Sequence, residues 1–172
     1  MPSFRIQTGR VSQSDLFNQV LAADQANYPM AAACNQNWNG LYGGHAYTLL
    51  GAVQLRGGPK LYKMRNPHGA KGEKYRGPWS DSSSKWTSSY ASQVGLRKAN
   101  DGVFYLAADT FSQLYTNVYI LHYKNWKIRR ASVKKTGKDF FFTVKSPVSQ
   151  KLVITLDYTP TRQVPEGSCA RK

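Results

Sequence analysis

Cysteine is scarce in this chain, because only Cys34 and Cys169 occur among its 172 residues. They lie far apart and neither belongs to a closely spaced pair, which argues against a disulfide framework and against a cysteine-ligated zinc site. No apolar run approaches the roughly 18 residues that are needed to span a bilayer. The first residues also lack the apolar stretch of a secretory signal. Together these absences predict a protein of the reducing cytoplasm.

Acidic residues are also few, with 9 Asp and Glu against 24 Lys and Arg and a formal net charge of +15. Such an excess would attract nucleic acid or an anionic membrane surface without specificity. A solvated face of a basic protein is the simpler interpretation, and no motif of nucleic-acid recognition accompanies the charge. We therefore expect no specific nucleic-acid partner. The excess is concentrated in one stretch: Lys124, Lys127, Arg129, Arg130, Lys134, Lys135 and Lys138.

Local patterns predict a mixed α+β unit over residues 1–123. A helix is predicted from Ser12, through apolar residues at helical spacing, to about Gln25. Residues 66–89 are rich in Pro, Gly and Ser and are predicted to form a long loop. The remaining elements are a short strand near Met30–Cys34, a β-hairpin over 45–65, a strand Val103–Ala107, a short helix Asp109–Leu114 and a strand Val118–Tyr123.

Residues 124–172 have a different character from the part before them. They contain three β-rich alternating segments, 126–133, 140–144 and 152–157, which are separated by turns. Three strands are too few for a complete sandwich. The sequence therefore predicts two domains, an α+β domain over 1–123 and a partial all-β sandwich over 124–172.

Two residues suited to acid–base chemistry flank the predicted hairpin. His45 begins the first strand, and Asn66 follows the second strand. An antiparallel register with its turn between residues 55 and 59 brings these side chains within a few ladder positions of each other. A histidine oriented by an asparagine is the acid–base half of a Cys-His-Asn peptidase. The alternative is a purely structural histidine at a strand start, and the partner Asn66 favours the catalytic interpretation.

The nucleophile of such a site has no good candidate among these residues. Cys34 lies in a Gly-rich polar stretch without a following helix whose N-terminus would stabilise a thiolate. We therefore predict that Cys34 fills the core or a loop and is not the nucleophile.

Five motifs, taken in chain order, resemble the calpain family of cysteine peptidases. The resemblance implies that residues 1–123 are the second, papain-like protease subdomain and that 124–172 begin the β-sandwich that follows it. It also implies that His45 is the general base and Asn66 its orienter, and that the nucleophile subdomain is missing. The motifs are Gly44-His45-Ala46-Tyr47, Arg65-Asn66-Pro67, Gly77 with Trp79-Ser80-Asp81, Trp86, and Asp101-Gly102-Val103-Phe104.

The resemblance further implies a calcium site in this subdomain, with Glu73, Asp81 and Asp101 as the matching acids. Val103 stands where the family has a carboxylate, and each lost charge weakens a calcium site. His68 stands where the family usually has a tryptophan that shields the histidine–asparagine hydrogen bond from water.

Two functions are consistent with these observations. The first is a piece of an intracellular, calcium-dependent thiol endopeptidase that acts on polypeptides. It would be inactive alone and would need a cysteine-bearing subdomain in the same or another chain. The second is a non-catalytic, calpain-like module that binds a protein partner or an anionic membrane through its basic surface.

Overall fold

The computed structural model describes residues 3–72, 74–123, 143–145 and 147–149. Two compact units divide the chain, one over Ser3–Trp126 and one over Lys127–Lys172. Every helix and strand described below belongs to the first unit. The predicted strands at 126–133 and 152–157, residues 140–142 of the one at 140–144, and the basic stretch 124–138 lie outside the described residues, so the partial sandwich remains a prediction. Residues 143–145 are described and belong to no strand. In the described ranges no helix is both long and apolar enough to cross a membrane.

The described residues of the first unit form a six-stranded antiparallel sheet with three α-helices, which confirms the mixed α+β class. The strand order across the sheet is β1-β6-β2-β3-β4-β5. In chain order the elements are β1 Ser3–Gln7, α1 Gln13–Gln25, β2 Met30–Cys34, β3 His45–Gln54, β4 Lys60–Arg65, α2 Ser88–Val94, β5 Val103–Ala107, α3 Ala108–Leu114 and β6 Tyr115–Leu121.

Helix α1 begins where its capping residue predicts. The Ser12 hydroxyl accepts a hydrogen bond from the Asp15 backbone N–H at 3.0 Å, which satisfies one of the unpaired donors of the first turn. Leu16, Phe17 and Val20 follow at helical spacing and are buried against the sheet.

One face of the sheet carries the main core. Helices α1 and α3 pack there, and Phe17 and Phe111 are almost fully buried. The Phe111 ring packs against the rings of Tyr62 and Tyr115, whose centroids lie 4.3 and 4.6 Å from its own. Burying each such side chain stabilises the fold by about 1.5–3 kcal/mol. The sheet is therefore a firm support for the residues at its ends.

The opposite face of β4 and β5 is covered by the segment 77–96. Trp79 is buried there, and its ring centroid lies 4.8 Å from that of Trp86 in an edge-to-face arrangement. Leu61 and Tyr105 provide the sheet side of this second cluster. The long loop predicted for residues 66–89 is thus packed by its own aromatic side chains, as functional long loops commonly are.

Candidate active site

The β3–β4 hairpin sets the geometry of the site. Its register pairs Gln54 with Lys60 beside the turn and Thr48 with Arg65 at the open end. The turn therefore occupies 55–59, as the sequence predicts. One irregularity between Leu49 and Gly51 inserts an extra residue into β3.

His45 and Asn66 meet at the open end of this hairpin. His45 Nε2 lies 3.4 Å from Asn66 Oδ1, so the closeness predicted from the hairpin is confirmed. Asn66 is only 2% exposed, whereas His45 is half-buried and keeps access to solvent. The contact is a long hydrogen bond, which is common for catalytic pairs in the absence of substrate.

A second donor fixes the orientation of the Asn66 amide. The backbone N–H of His68 donates to the same Oδ1 at 3.1 Å. A carbonyl oxygen accepts and cannot donate, so the His45–Asn66 contact is a hydrogen bond only when His45 Nε2 carries a proton. A neutral His45 then presents its Nδ1 lone pair as the basic nitrogen.

The main chain of Asn66 is held by the Asp101-Gly102 turn. Its N–H donates to the Gly102 carbonyl at 2.9 Å, and its own carbonyl accepts from the Gly69 N–H at 3.0 Å. A Cβ added at Gly72 would lie 2.8 Å from Asn66 Nδ2, so the amide has little room to turn. Among the described residues that nitrogen has no hydrogen-bond partner.

Two aromatic rings contact the His45 imidazole. His68 stacks on it with ring centroids 5.0 Å apart and an interplanar angle of 9°. Tyr47 meets it edge to face at 4.8 Å, and the Tyr47 hydroxyl accepts from the Tyr42 N–H at 2.9 Å. His68 is itself exposed. It covers His45 as an aromatic ring would, but it presents polar nitrogens to solvent.

The glycines before His45 allow a close approach of two chain segments. The Gly44 N–H donates to the Cys34 carbonyl at 2.9 Å, and the Gly43 N–H donates to Asn37 Oδ1 at 2.8 Å. A Cβ on Gly43 would lie 3.0 Å from the Asn35 carbonyl oxygen. These contacts fix the point at which His45 enters β3.

Cys34 lies opposite His45 in the β2–β3 register, a proximity that the sequence does not reveal. Its side chain is 3% exposed, and its Sγ donates to the Gln36 carbonyl at 3.3 Å. Burial raises the pKa of the Cys34 thiol, which disfavours a thiolate. Because it ends a strand and no helix follows, Cys34 has the environment of a core residue, as predicted.

The acids assigned to calcium are only partly described. Glu73 lies outside the described residues. Asp101 is part of the Asp101-Gly102 turn, and Asp81 lies close enough to feel its charge. Burial, and next the charge of Asp101, raise the pKa of Asp81. Asp101 Oδ1 accepts from the Val103 N–H at 2.9 Å, which tightens the turn. Within the described ranges, no three acids, histidines or cysteines are grouped in a way that could hold a metal ion.

Comparison with known proteins identifies the family. A sequence model described as calpain family cysteine protease matches residues 3–122. Human calpain-14 is 46% identical over 78 residues, which are 42% of this chain and 11% of that protein. Calpain clp-1 of Caenorhabditis elegans is 36% identical over 89 residues, 48% of this chain and 11% of the relative. Rat calpain-13 is 27% identical over 179 residues, 83% of this chain and 26% of the relative.

The chain therefore spans about a quarter or less of the length of these relatives. The family match covers most of the chain and includes the hairpin with His45, the loop with Asn66 and the turn that holds it. This protein belongs to the calpain family of cysteine proteases.

Proposed function

We propose that the unit over 3–123 is the papain-like second subdomain of a calpain-type thiol endopeptidase and carries the histidine–asparagine half of its catalytic site. His45 is the general base and acid, and Asn66 holds the imidazole in the required orientation. The observation that carries this proposal is the 3.4 Å contact between His45 Nε2 and Asn66 Oδ1. The His68 N–H donates to the same oxygen, which supports Asn66 Oδ1 as the acceptor and His45 Nε2 as the donor.

The chemistry follows from this polarity. Nδ1 of His45 accepts the proton of a cysteine thiol, and the thiolate attacks the carbonyl carbon of a polypeptide substrate. The same imidazole then gives its proton to the departing amine, so that the carbon–nitrogen bond breaks and an acyl-enzyme remains. Throughout these steps Nε2–H stays donated to Asn66, which stabilises the imidazolium and prevents ring rotation.

The nucleophilic cysteine comes, in this proposal, from a segment outside the 172 residues, either in the same polypeptide or in a partner chain. Cys34 is unsuited, because it is buried and its thiol pKa is raised. Without that segment the chain is expected to have no peptidase activity. Its substrates are polypeptides, consistent with the names of its relatives.

Reconstitution tests the proposal. The chain would be mixed with the cysteine-bearing subdomain of a calpain relative, and covalent labelling by a peptidyl epoxide would be followed by mass spectrometry, with and without calcium. We expect labelling of the added cysteine only in the mixture. His45→Ala should abolish labelling, and Asn66→Ala should slow it by about tenfold, as loss of one orienting hydrogen bond suggests.

Two controls make the result specific. Asn18→Ala, on the exposed side of α1, should leave labelling unchanged. Cys34→Ser with Cys169→Ser should also leave it unchanged, because neither sulfur takes part. Equal labelling by the wild-type chain and His45→Ala, in a mixture whose assembly is verified by sedimentation, would contradict the assigned role of His45.

A further inference from the structure

A cavity of about 830 Å³ lies between two loops beside the Asp101-Gly102 turn. Its size falls within the range of small-molecule sites. One wall is the segment 74–76, and the other is the segment 98–104. Asp81 also lines the cavity, and its carboxylate interacts with the Ala99 backbone on the second wall.

The described lining of this cavity carries a net positive charge. Among the described residues, three cationic side chains line it, Lys74, Arg76 and Lys98, against one carboxylate, that of Asp81. The negative charge of Asp101 raises the pKa of Asp81, but Asp101 does not line the cavity. If Asp101 is counted as well, the net charge of the described residues is still positive. Calcium requires about six or more oxygen ligands and a negative surrounding. The described lining residues do not fit that ion.

The floor of the cavity is rigid and aromatic. Tyr75 and Phe104 are buried with ring centroids 5.0 Å apart, and the Tyr75 hydroxyl donates to the Pro78 carbonyl at 2.9 Å. The Arg76 N–H donates to the Asn39 carbonyl at 2.8 Å. The Tyr75 side chain and the Arg76 backbone are therefore both held in place at this wall of the cavity.

We propose that this cavity binds a phosphate group, as free phosphate or as the phosphoryl end of a small molecule. The excess of two positive charges on the lining side chains matches a dianion. Arg76 supplies a planar pair of donors for phosphate oxygens, while Lys74 and Lys98 add point charges from the two walls. The aromatic floor gives an apolar body of the ligand a surface to contact.

Isothermal titration calorimetry tests the proposal, with inorganic phosphate as the probe and sodium chloride holding the ionic strength constant. We expect saturable binding in the millimolar range. Lys74→Ala, Arg76→Ala and Lys98→Ala should each weaken binding roughly threefold to tenfold, as loss of one charge-assisted contact suggests. Lys74→Arg, which keeps the positive charge, should bind phosphate about as tightly as the wild type. Phenyl phosphate in place of phosphate would assign the source, since tighter binding of the ester identifies a phosphoryl ligand.

Matched controls lie on exposed positions away from the cavity. Lys85→Ala and Arg56→Ala remove the same charge without touching the lining, and they should bind phosphate as the wild type does. Unfolding curves would verify that all variants fold. If the cavity variants and the control variants weaken phosphate binding equally, the proposal is overturned, because binding then depends only on the net charge of the protein. Saturable calcium binding with no phosphate binding would overturn it as well.

Discussion

Replacing Gly102 with alanine tests how the Asp101-Gly102 turn supports Asn66. Gly102 has φ +81°, and an added Cβ would lie 2.9 Å from the Asn66 carbonyl oxygen and 3.1 Å from Gly69 Cα. Both neighbours are backbone atoms, which cannot move aside as the end of a side chain can. The substitution therefore combines an unfavourable backbone conformation with a clash inside the site.

The magnitude follows from these two contributions. A left-handed conformation costs an alanine about 1–2 kcal/mol, and overpacking against fixed atoms costs about 1–3 kcal/mol. Alanine also lowers the entropy of the unfolded chain, which restores about 0.4–1 kcal/mol. We expect Gly102→Ala to lower the free energy of unfolding by about 1–4.5 kcal/mol, against the roughly 5–15 kcal/mol of a typical domain.

Two further glycines separate the contributions. Gly57 in the hairpin turn has φ +71° but open space around its Cβ position, so Gly57→Ala should cost about 0–1.5 kcal/mol. Gly9 has neither a positive φ nor a neighbour within 4 Å, so Gly9→Ala should be neutral or slightly stabilising. Urea unfolding followed by tryptophan fluorescence measures all three. A loss of stability in Gly102→Ala no larger than that in Gly57→Ala would contradict the proposed clash with the Asn66 backbone.

Three other predictions follow from the contacts around the site. In the reconstituted peptidase, His68→Ala should slow labelling about twofold to tenfold, because water would reach the His45–Asn66 bond, whereas His68→Trp should retain the rate. Equal rates for both variants would show that His68 gives no cover. Cys34 should resist iodoacetamide at pH 8 until the chain unfolds, as peptide mapping would show, since it is 3% exposed with a raised pKa; rapid modification in the folded state would contradict its core position. Burial raises the pKa of Asp81 in the folded protein above its ordinary value of 3.8. As the pH rises past 3.8, the unfolded chain therefore loses this proton before the folded protein does, and the free energy of unfolding falls. Thermal unfolding scans should then show Asp81→Asn to be more stable than the wild type at pH 7, with the difference vanishing toward pH 3. A variant less stable than the wild type at pH 7 would contradict the assigned burial of Asp81.

The elements nearest the site were the most predictable from sequence. The hairpin needed only alternating residues around a Gly-Gly-Pro turn, and β5 was marked by the Asp101-Gly102 turn before it. Helix α1 was marked by Ser12 at its start and by its apolar spacing. In each case local chemistry and the tertiary fold favour the same structure.

Other elements gave weaker signals. Strand β1 shows only two alternating apolar residues, Phe4 and Ile6, and depends on pairing with β6 at the sheet edge. Helix α2 has no fully buried residue, and its signals were the cap Thr87 before it and Gly95 after it. Strand β6 begins at Tyr115 and not at Val118, because it follows α3 directly and pairs with β2 from its first residue.

Within the site, the sequence predicted which residues meet but not how they are held. The closeness of His45 and Asn66 follows from hairpin counting. The His68 N–H on Asn66 Oδ1, the Gly72 contact and the Cys34 position across from His45 arise from long-range packing, which no local pattern encodes. The cationic cavity was also missed, since its walls are more than twenty residues apart in the chain.

Nitrogen-15 NMR of the His45 imidazole tests the central claim most directly, because it reports the tautomer without any nucleophile. At a pH where the ring is neutral, we expect the proton on Nε2 and a bare Nδ1, with Asn66→Ala shifting the population toward the other tautomer by about fivefold. Asn18→Ala should leave the populations as in the wild type. A neutral His45 protonated mainly on Nδ1, or a tautomer ratio that Asn66→Ala does not change, would contradict the account.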